Sequence, residues 1–270
     1  MDSLSTILKY RTTYDRTLLA YSTIVLILPP VLLVINAPYG RFTSKNVLLG
    51  FGFSRKWSKL AWFTMEMVSP IVYTLTVYLL AYDSSNAARQ YGLTTAQKCL
   101  SALWYIHYTN RTLIYTYRVP SMASMGLLTW LSAIVFNSVN GYINAYWVAT
   151  QCCNIDGGMV TNGIGLCLWT AGFISNIYHD SILFSLRKGK SGGYSIPKGG
   201  LYRFVSCPNY LSECVEWIGY ALLCRSPPSF WFAVGTMSNL IPRAYKSHQW
   251  YKQRFKDYPT NRRAVIPFIL

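Results

Sequence analysis

Acidic residues are scarce. The 270-residue chain has nine Asp and Glu against 25 Lys and Arg, and charged residues make up 13 % of it. A soluble domain usually carries about 25 %, so this chain cannot cover a water-exposed surface. Disorder is excluded as well, because disorder requires low hydrophobicity and 52 % of these residues are hydrophobic. Histidine occurs three times, at His107, His179 and His248, too scattered for a metal cluster, so no metal site is expected. The seven cysteines form no Cys-x-x-Cys, and apart from the neighbours Cys152 and Cys153 they stand singly in apolar stretches. They read as small buried hydrophobes, not as a disulfide framework. The opening MDSLSTILKYRTTYDRT is too polar for a cleavable signal.

Long apolar runs and aromatic residues are abundant. Seven segments read as membrane spans: 17–37, 60–82, 99–117, 122–148, 161–186, 209–224 and 228–245. Spans of about 20 residues must be helical, because lipid offers no partner to an open backbone. The expectation is an all-α integral membrane bundle of seven transmembrane helices. It forms a single domain over 1–270, with a bend possible at Gly141 and a loop at 187–208. Six basic residues fall on the side of the N-terminus and eighteen on the side of the C-terminus. This bias places the C-terminus in the cytosol, and the endoplasmic reticulum is the expected membrane in a eukaryotic cell. The lipid bilayer accounts for part of the positive charge, and a cytosolic polyanion such as a phosphorylated dinucleotide for the rest. Nothing calls for nucleic acid or an obligate protein partner.

Four of the nine acids lie within apolar spans: Glu66, Asp180, Glu213 and Glu216. Each costs about 2.5–3.5 kcal/mol at membrane depth, so such groups face a cavity or a partner and mark function. Asn176 and Asp180 are four apart; Asn209, Glu213 and Glu216 follow at four and seven; Tyr108, Arg111 and Tyr115 at three and seven. Each set falls on one helical face, so three helices offer polar stripes to a shared interior. Arg111 must pair with an acid or a phosphate. The neighbours of Glu66, AWFTMEM at 61–67, are apolar. That setting favours the neutral carboxyl, a hydrogen-bond donor suited to activating a carbonyl. Neither a nucleophile elbow nor a Rossmann glycine motif is present.

These residues sit in segments that resemble the steroid 5α-reductase family: AWFTMEM (61–67), HYTNRTLIY (107–115), SNIYHDSILFSLRK (175–188), GYSIPKGGLYRFVS (193–206), NYLSECVEWIGYAL (209–222) and WYKQRFKDYPTNRRAVIPFIL (250–270). The resemblance implies a seven-helix, membrane-embedded, NADPH-dependent reductase of the double bond of a 3-oxo-Δ4 steroid. It implies that Glu66 and Tyr108, with Trp62, hold the steroid. It also implies cofactor contacts at Arg111, Tyr115, Asn176, Asp180, Arg187, Tyr194, Asn209, Glu213, Arg243, Tyr251 and Arg262, most of them in the C-terminal part, 161–270. The chain departs from the family pattern at Met65 (usually Gln), Tyr178 (usually His, with His179 displaced by one), Ser212 (usually Gly) and the shortened run Lys246-Ser247-His248. Reductases of trans-2-enoyl-CoA and of polyprenols share parts of this pattern. The enoyl-CoA enzymes usually carry an N-terminal ubiquitin-like region, whereas about 16 polar residues precede the first span here. A non-catalytic sterol-binding membrane protein is the alternative outside enzymes. It would need neither an intramembrane acid paired with Tyr nor three polar stripes.

The charge bias generates a topological prediction. Single cysteines placed in 255–270 are expected to react with an impermeant reagent only from the cytosolic side of sealed vesicles. Protection of that segment would reverse the orientation.

Overall fold

The computed structural model describes residues 2–34, 52–81, 92–150, 158–188 and 194–270. Arg41, Lys45, Arg89, Lys190, Cys152 and Cys153 lie outside the described residues. The helices are α1 (Asp2–Val34), α2 (Ser58–Ala81), α3 (Thr95–Thr109), α4 (Tyr115–Arg118), α5 (Leu127–Thr150), α6 (Gly158–Lys188), α7 (Pro208–Cys224) and α8 (Pro227–Arg254). A π-helical turn, Asn110–Ile114, joins α3 to α4 in one continuous rod. Among the described residues, seven long helical rods therefore stand where seven spans were read. Three of them, α1, α2 and α6, are long and apolar enough to cross a membrane by length and composition alone. Helices α3 and α7, of 15 and 17 residues, are shorter than those three, and α5 carries the buried amides Asn137, Asn140 and Asn144 among its apolar residues.

Local sequence sets the helix starts. Thr94 and Gln97 form a reciprocal capping box at α3: Gln97 N donates to Thr94 Oγ1 at 3.3 Å and Thr94 N to Gln97 Oε1 at 2.8 Å. Ser226 caps α8 with Pro227 following, and α7 opens on Pro208, where a missing N–H costs nothing. Pro29 and Pro30 lie inside α1, near its end.

The bundle is inside-out. Leu19 (68 %), Leu79 (67 %) and Val160 (73 %) are exposed on outer faces, while the centre holds aromatic rings and amides. Outer apolar faces of this kind suit lipid and belong to a multi-pass membrane protein. Trp104 on α3 is the hub of the core. Its indole meets Tyr73 on α2 at 5.0 Å, Trp217 and Tyr220 on α7 at 5.6 and 5.7 Å, and Phe232 on α8 at 5.6 Å. Tyr14 of α1 stacks on Tyr146 of α5 at 4.4 Å. Lys246 Nζ donates to the carbonyl of Leu32 at the end of α1, at 2.8 Å.

Of the cysteines read as buried, Cys207, Cys214 and Cys224 are buried and Cys99 and Cys167 are exposed; two backbone features also differ from the sequence reading. The start of the fourth span, 122–126, is not helical: Met125–Gly126 pairs antiparallel with Gly52–Phe53 in two two-residue strands. A side chain at Gly52 would strike the Met125 carbonyl, so backbone proximity, not periodicity, sets this pairing. Gly141 does not break α5. It lets the Ser69 backbone of α2 approach, with the carbonyl oxygen 2.7 Å from where a Cβ would sit.

Helices α6 and α7 pack closely through glycines, as small residues allow in membranes. A Cβ at Gly172 would lie 2.5 Å from Glu216 N, and one at Gly219 would lie 2.7 Å from the Gly165 carbonyl. Gly163, on the same helix as Gly172, faces open space. Gly219→Ala is expected to destabilise by about 1–3 kcal/mol through overpacking, read as a clear fall in the melting temperature of the detergent-solubilised protein. Gly163→Ala should leave that temperature unchanged or slightly higher. Equal behaviour of the two variants would remove the close-packing argument.

Candidate active site

Arg111 occupies the π turn, where one extra residue per turn redirects side chains. Such turns recur at functional sites. Its Nε lies 3.8 Å from Glu66 Oε1 on α2, and its Nη2 lies 3.8 Å from Glu213 Oε2 on α7. The guanidinium sits over two rings, Trp62 at 4.8 Å and Tyr115 at 5.3 Å. Trp62 Nε1 in turn donates to the Arg111 carbonyl at 3.3 Å. One cation thus joins α2, the α3–α4 rod and α7 at the polar centre of the bundle. The apolar setting that residues 61–67 gave Glu66 is incomplete, because the fold adds a cationic neighbour from a distant segment.

Tyr108, one turn before Arg111, is buried beside Trp104 at 5.1 Å and shares its surroundings with Glu66, Ser69 and Asn140. Thr112 Oγ1 donates to the Tyr108 carbonyl at 2.6 Å, across the start of the π turn. On the other wall, Asn209 Nδ2 donates to Asp180 Oδ1 at 2.9 Å, and Asn176 Nδ2 donates to the Asn209 carbonyl at 2.9 Å. The two stripes read on α6 and α7 are therefore latched to one another. Tyr115 packs edge-on against Phe184 of α6 at 5.3 Å.

The remaining candidates lie toward the C-terminal end. Arg187 is exposed and donates to the Ser121 carbonyl at 3.2 Å. It lies near a 520 Å³ cavity lined by Lys59, Arg118, Ser181, Phe184 and neighbours. Arg243 Nε donates to Tyr210 OH at 2.9 Å. Tyr194 meets Trp250 edge-on at 4.9 Å, and Tyr251 stacks on Tyr258 at 5.4 Å. Arg262 lies over the Tyr258 ring at 5.3 Å. The Arg262 side chain is buried, and its Nε and Nη1 have no hydrogen-bond partner among the described residues. Tyr202, in the short turn Gly200–Arg203, joins the two groups: Asp180, Tyr210 and Tyr251 all lie near it. Burial above all, then Cys207 and these neighbours, pushes its phenol well above the ordinary value, so it stays a neutral hydroxyl.

The chain end is folded back to hold this group. Arg263 N donates to the Phe204 carbonyl at 2.8 Å, and Ser206 N to the Arg263 carbonyl at 2.8 Å. Ser206 Oγ donates to the same carbonyl at 3.1 Å and takes hydrogen bonds from Tyr258 OH at 2.6 Å and His248 Nδ1 at 2.7 Å. Burial, with Lys252 and Arg263 close by, pushes the His248 imidazole below its ordinary value. His179, displaced by one from the family position, accepts from Leu201 N at Nε2 (3.0 Å) and donates from Nδ1 to the Ser175 carbonyl (2.7 Å). It holds the 200–203 turn, in which Gly200 has φ +50° and no room for a side chain.

Two partners were not legible in the sequence. His107 Nδ1 lies 2.6 Å from Glu216 Oε1, both buried. His107 lies on the Tyr108 stretch of α3, but no spacing rule pairs it with an acid 109 residues later.

An arginine gathered among acids and rings, inside a helical bundle with apolar outer faces, defines the polar interior of a membrane protein. Residues 123–270 match the family model described as 3-oxo-5-alpha-steroid 4-dehydrogenase. The chain is 36 % identical over 270 residues to steroid 5-alpha-reductase DET2 of Arabidopsis thaliana, covering 94 % of this chain and 98 % of the relative. It is 36 % identical over 238 residues to human 3-oxo-5-alpha-steroid 4-dehydrogenase 1, covering 87 % and 86 %. An uncharacterized protein of Schizosaccharomyces pombe is 33 % identical over 269 residues, covering 89 % and 94 %. The chain belongs to the 3-oxo-5-alpha-steroid 4-dehydrogenase family and is an oxidoreductase of that type.

Arg111→Met leaves the Glu66 and Glu213 carboxyls facing each other without a cation. A loss of about 3 kcal/mol is expected, the low end for an orphaned buried charge, with part of it restored by adding Glu213→Gln. Arg111→Lys should rescue less than half, since an ammonium can neither fork between two carboxyls nor stack on Trp62 and Tyr115. Wild-type melting of Arg111→Met would show that the carboxyls do not depend on it.

Proposed function

We propose that this chain reduces the C4–C5 double bond of 3-oxo-Δ4 steroids with NADPH. The reading places seven spans in the endoplasmic reticulum membrane with the C-terminus in the cytosol. The observation that carries it is the position of Arg111 within 3.8 Å of both Glu66 and Glu213. This joins the residues proposed to hold the steroid ketone to those proposed to hold the nicotinamide end.

The donor set fits a dinucleotide phosphate. Arg262 keeps two buried N–H groups without a partner among the described residues, and a buried unpaired guanidinium suits an anion. Arg187 and Arg243 add charge, Asn209 and Glu213 suit the amide and ribose of the nicotinamide half, and Tyr194 and Tyr251 add ring surface. Asn176, Asp180, Arg111 and Tyr115 belong to the same polar cluster and would contact the cofactor between the two ends. When bound, NADPH would supply the hydride.

The chain's own residues supply the rest. As the double bond is reduced, negative charge builds on the ketone oxygen. Tyr108 directs a phenol O–H into the Glu66 side of the interior. One guanidinium facing two carboxyls cannot neutralise both, so a proton on Glu66 restores the balance. That proton makes Glu66 the second donor to the oxygen. Trp62, held by the Arg111 carbonyl, walls the apolar side, and the aromatic core around Trp104 keeps water out. The α-carbon then takes one proton to complete the saturated ketone.

The test is oxidation of NADPH by the purified protein with a 3-oxo-Δ4 steroid, compared with a trans-2-enoyl-CoA and a polyprenol. Turnover of the steroid alone is expected; turnover of only another substrate would move the chain to that branch. Loss of an oxyanion donor is worth about 2.7–4 kcal/mol, so Tyr108→Phe should lower turnover ~100-fold or more with NADPH binding nearly unchanged. Glu66→Gln should be milder than Glu66→Ala. Glu213→Ala should raise the NADPH dissociation constant about 10- to 100-fold, the range for a charge-assisted hydrogen bond. An unchanged constant in a well-folded Glu213→Ala would sink its assignment.

A further inference from the structure

The buried pair His107–Glu216 takes no part in the mechanism above, yet it stands directly behind Tyr108. Among the described residues, two ion-pair contacts join the α3–α4 rod to α7, and they run in opposite sequence directions: His107 with Glu216, then Arg111, four residues on, with Glu213, three residues back. The second contact faces the reacting groups. The first is hidden, with side-chain exposures of 8 % for His107 and 1 % for Glu216.

Geometry connects the hidden contact to Tyr108. The His107 ring meets the Tyr108 ring edge-on at 5.1 Å and the Trp217 ring at 4.5 Å. Trp217, next to Glu216 on α7, lies 6.5 Å from the Tyr108 ring. Glu216 thus fixes the imidazole from one side, and imidazole and indole together bound the phenol. The backbone leaves a need for this. Tyr108 lies just before the π turn Asn110–Ile114, where the hydrogen-bond register changes from four residues to five. A helix that changes register there fixes a side-chain direction less well than a regular one. Tight α6 packing against the Glu216 backbone, where Gly172 leaves no room for a Cβ, fixes the main chain that carries the side chain.

We propose that His107 and Glu216 are positioning residues for the reduction. Glu216 accepts Nδ1–H of His107, and the clamped imidazole, with Trp217, sets the direction of the Tyr108 phenol toward the ketone oxygen. The couple acts through Tyr108 and touches neither substrate nor cofactor. This rests on the proposed role of Tyr108.

A double-mutant cycle tests it, because residues acting through a common group lose their effects together. Turnover of a 3-oxo-Δ4 steroid by the full chain in detergent would be measured for Glu216→Leu, Tyr108→Phe and the two combined. Glu216→Leu is expected to lower kcat by ~10- to 100-fold, with the KM for steroid and the NADPH dissociation constant within about threefold. In the Tyr108→Phe background the same change should cost less than about twofold. Glu216→Gln, which still accepts Nδ1–H, should keep at least about a third of the activity. Should Glu216→Leu fail to fold, His107→Asn and His107→Phe run the same cycle: Asn still offers Glu216 a donor, and Phe does not. An equal fall of kcat with and without the Tyr108 phenol would overturn the proposal and leave the pair a structural contact. So would undiminished kcat in a folded Glu216→Leu. Full activity of Tyr108→Phe alone would instead overturn the reading of Tyr108, so the two failures are separable.

Discussion

A guanidinium deep in an apolar bundle has to be neutralised by carboxyls, and the carboxyls have to come from other helices. Arg111 meets this constraint with Glu66 from α2 and Glu213 from α7, each at 3.8 Å. The consequence reaches past electrostatics. Three segments far apart in sequence are fixed around one charge, and each brings a neighbour: Trp62 with Glu66, Tyr108 and Tyr115 with Arg111, Asn209 with Glu213. The π turn is the device that aims Arg111, since an extra residue rotates it relative to Tyr108. Removing the cation would strip the Glu213 carboxylate of its counter-charge inside the bundle, which is costlier than the pair is stabilising.

Around that charge the bundle solves a second problem. Lipid provides no hydrophobic drive between helices, so close contact and hydrogen bonds must hold them. Helices α6 and α7 approach through Gly165, Gly172 and Gly219, and the Asn176–Asn209–Asp180 latch ties their polar stripes. Elsewhere aromatic rings hold the helices: Trp104 alone reaches three other helices, α2, α7 and α8, through ring contacts. Part of the 16 % aromatic content fills this interior. Ring faces fill space between polar groups, carry the Arg111 charge at Trp62 and Tyr115, and offer Arg262 its partner in Tyr258.

Much of the polar cluster is legible in the sequence alone. Four acids among nine fell in apolar stretches, and charge at membrane depth is expensive enough to advertise itself. The i, i+4 spacings put Asn176 with Asp180 and Asn209 with Glu213 on shared faces, and the two faces do meet. The pairing itself was not readable. Glu213 and Glu216 stand on one face with one pattern, yet one faces Arg111 and the other His107, because a three-residue step on α7 matches a four-residue step on the opposing rod. Nothing local announced the π turn, the two short strands or the backbone docking of Ser206 on Arg263.

The sequence by itself determined the apolar, helical character of the chain and the list of polar residues set within its apolar runs, because those follow from composition and from periods of a few residues. Tertiary structure decided which of those residues neutralise one another, since charge pairing in a bundle depends on helix register and direction. It also decided that glycines at 141, 172 and 219 serve as contact points and not as bends. Whether a missing side chain loosens a helix or admits a neighbour depends on what stands within 3 Å of it, and the neighbour comes from another part of the chain.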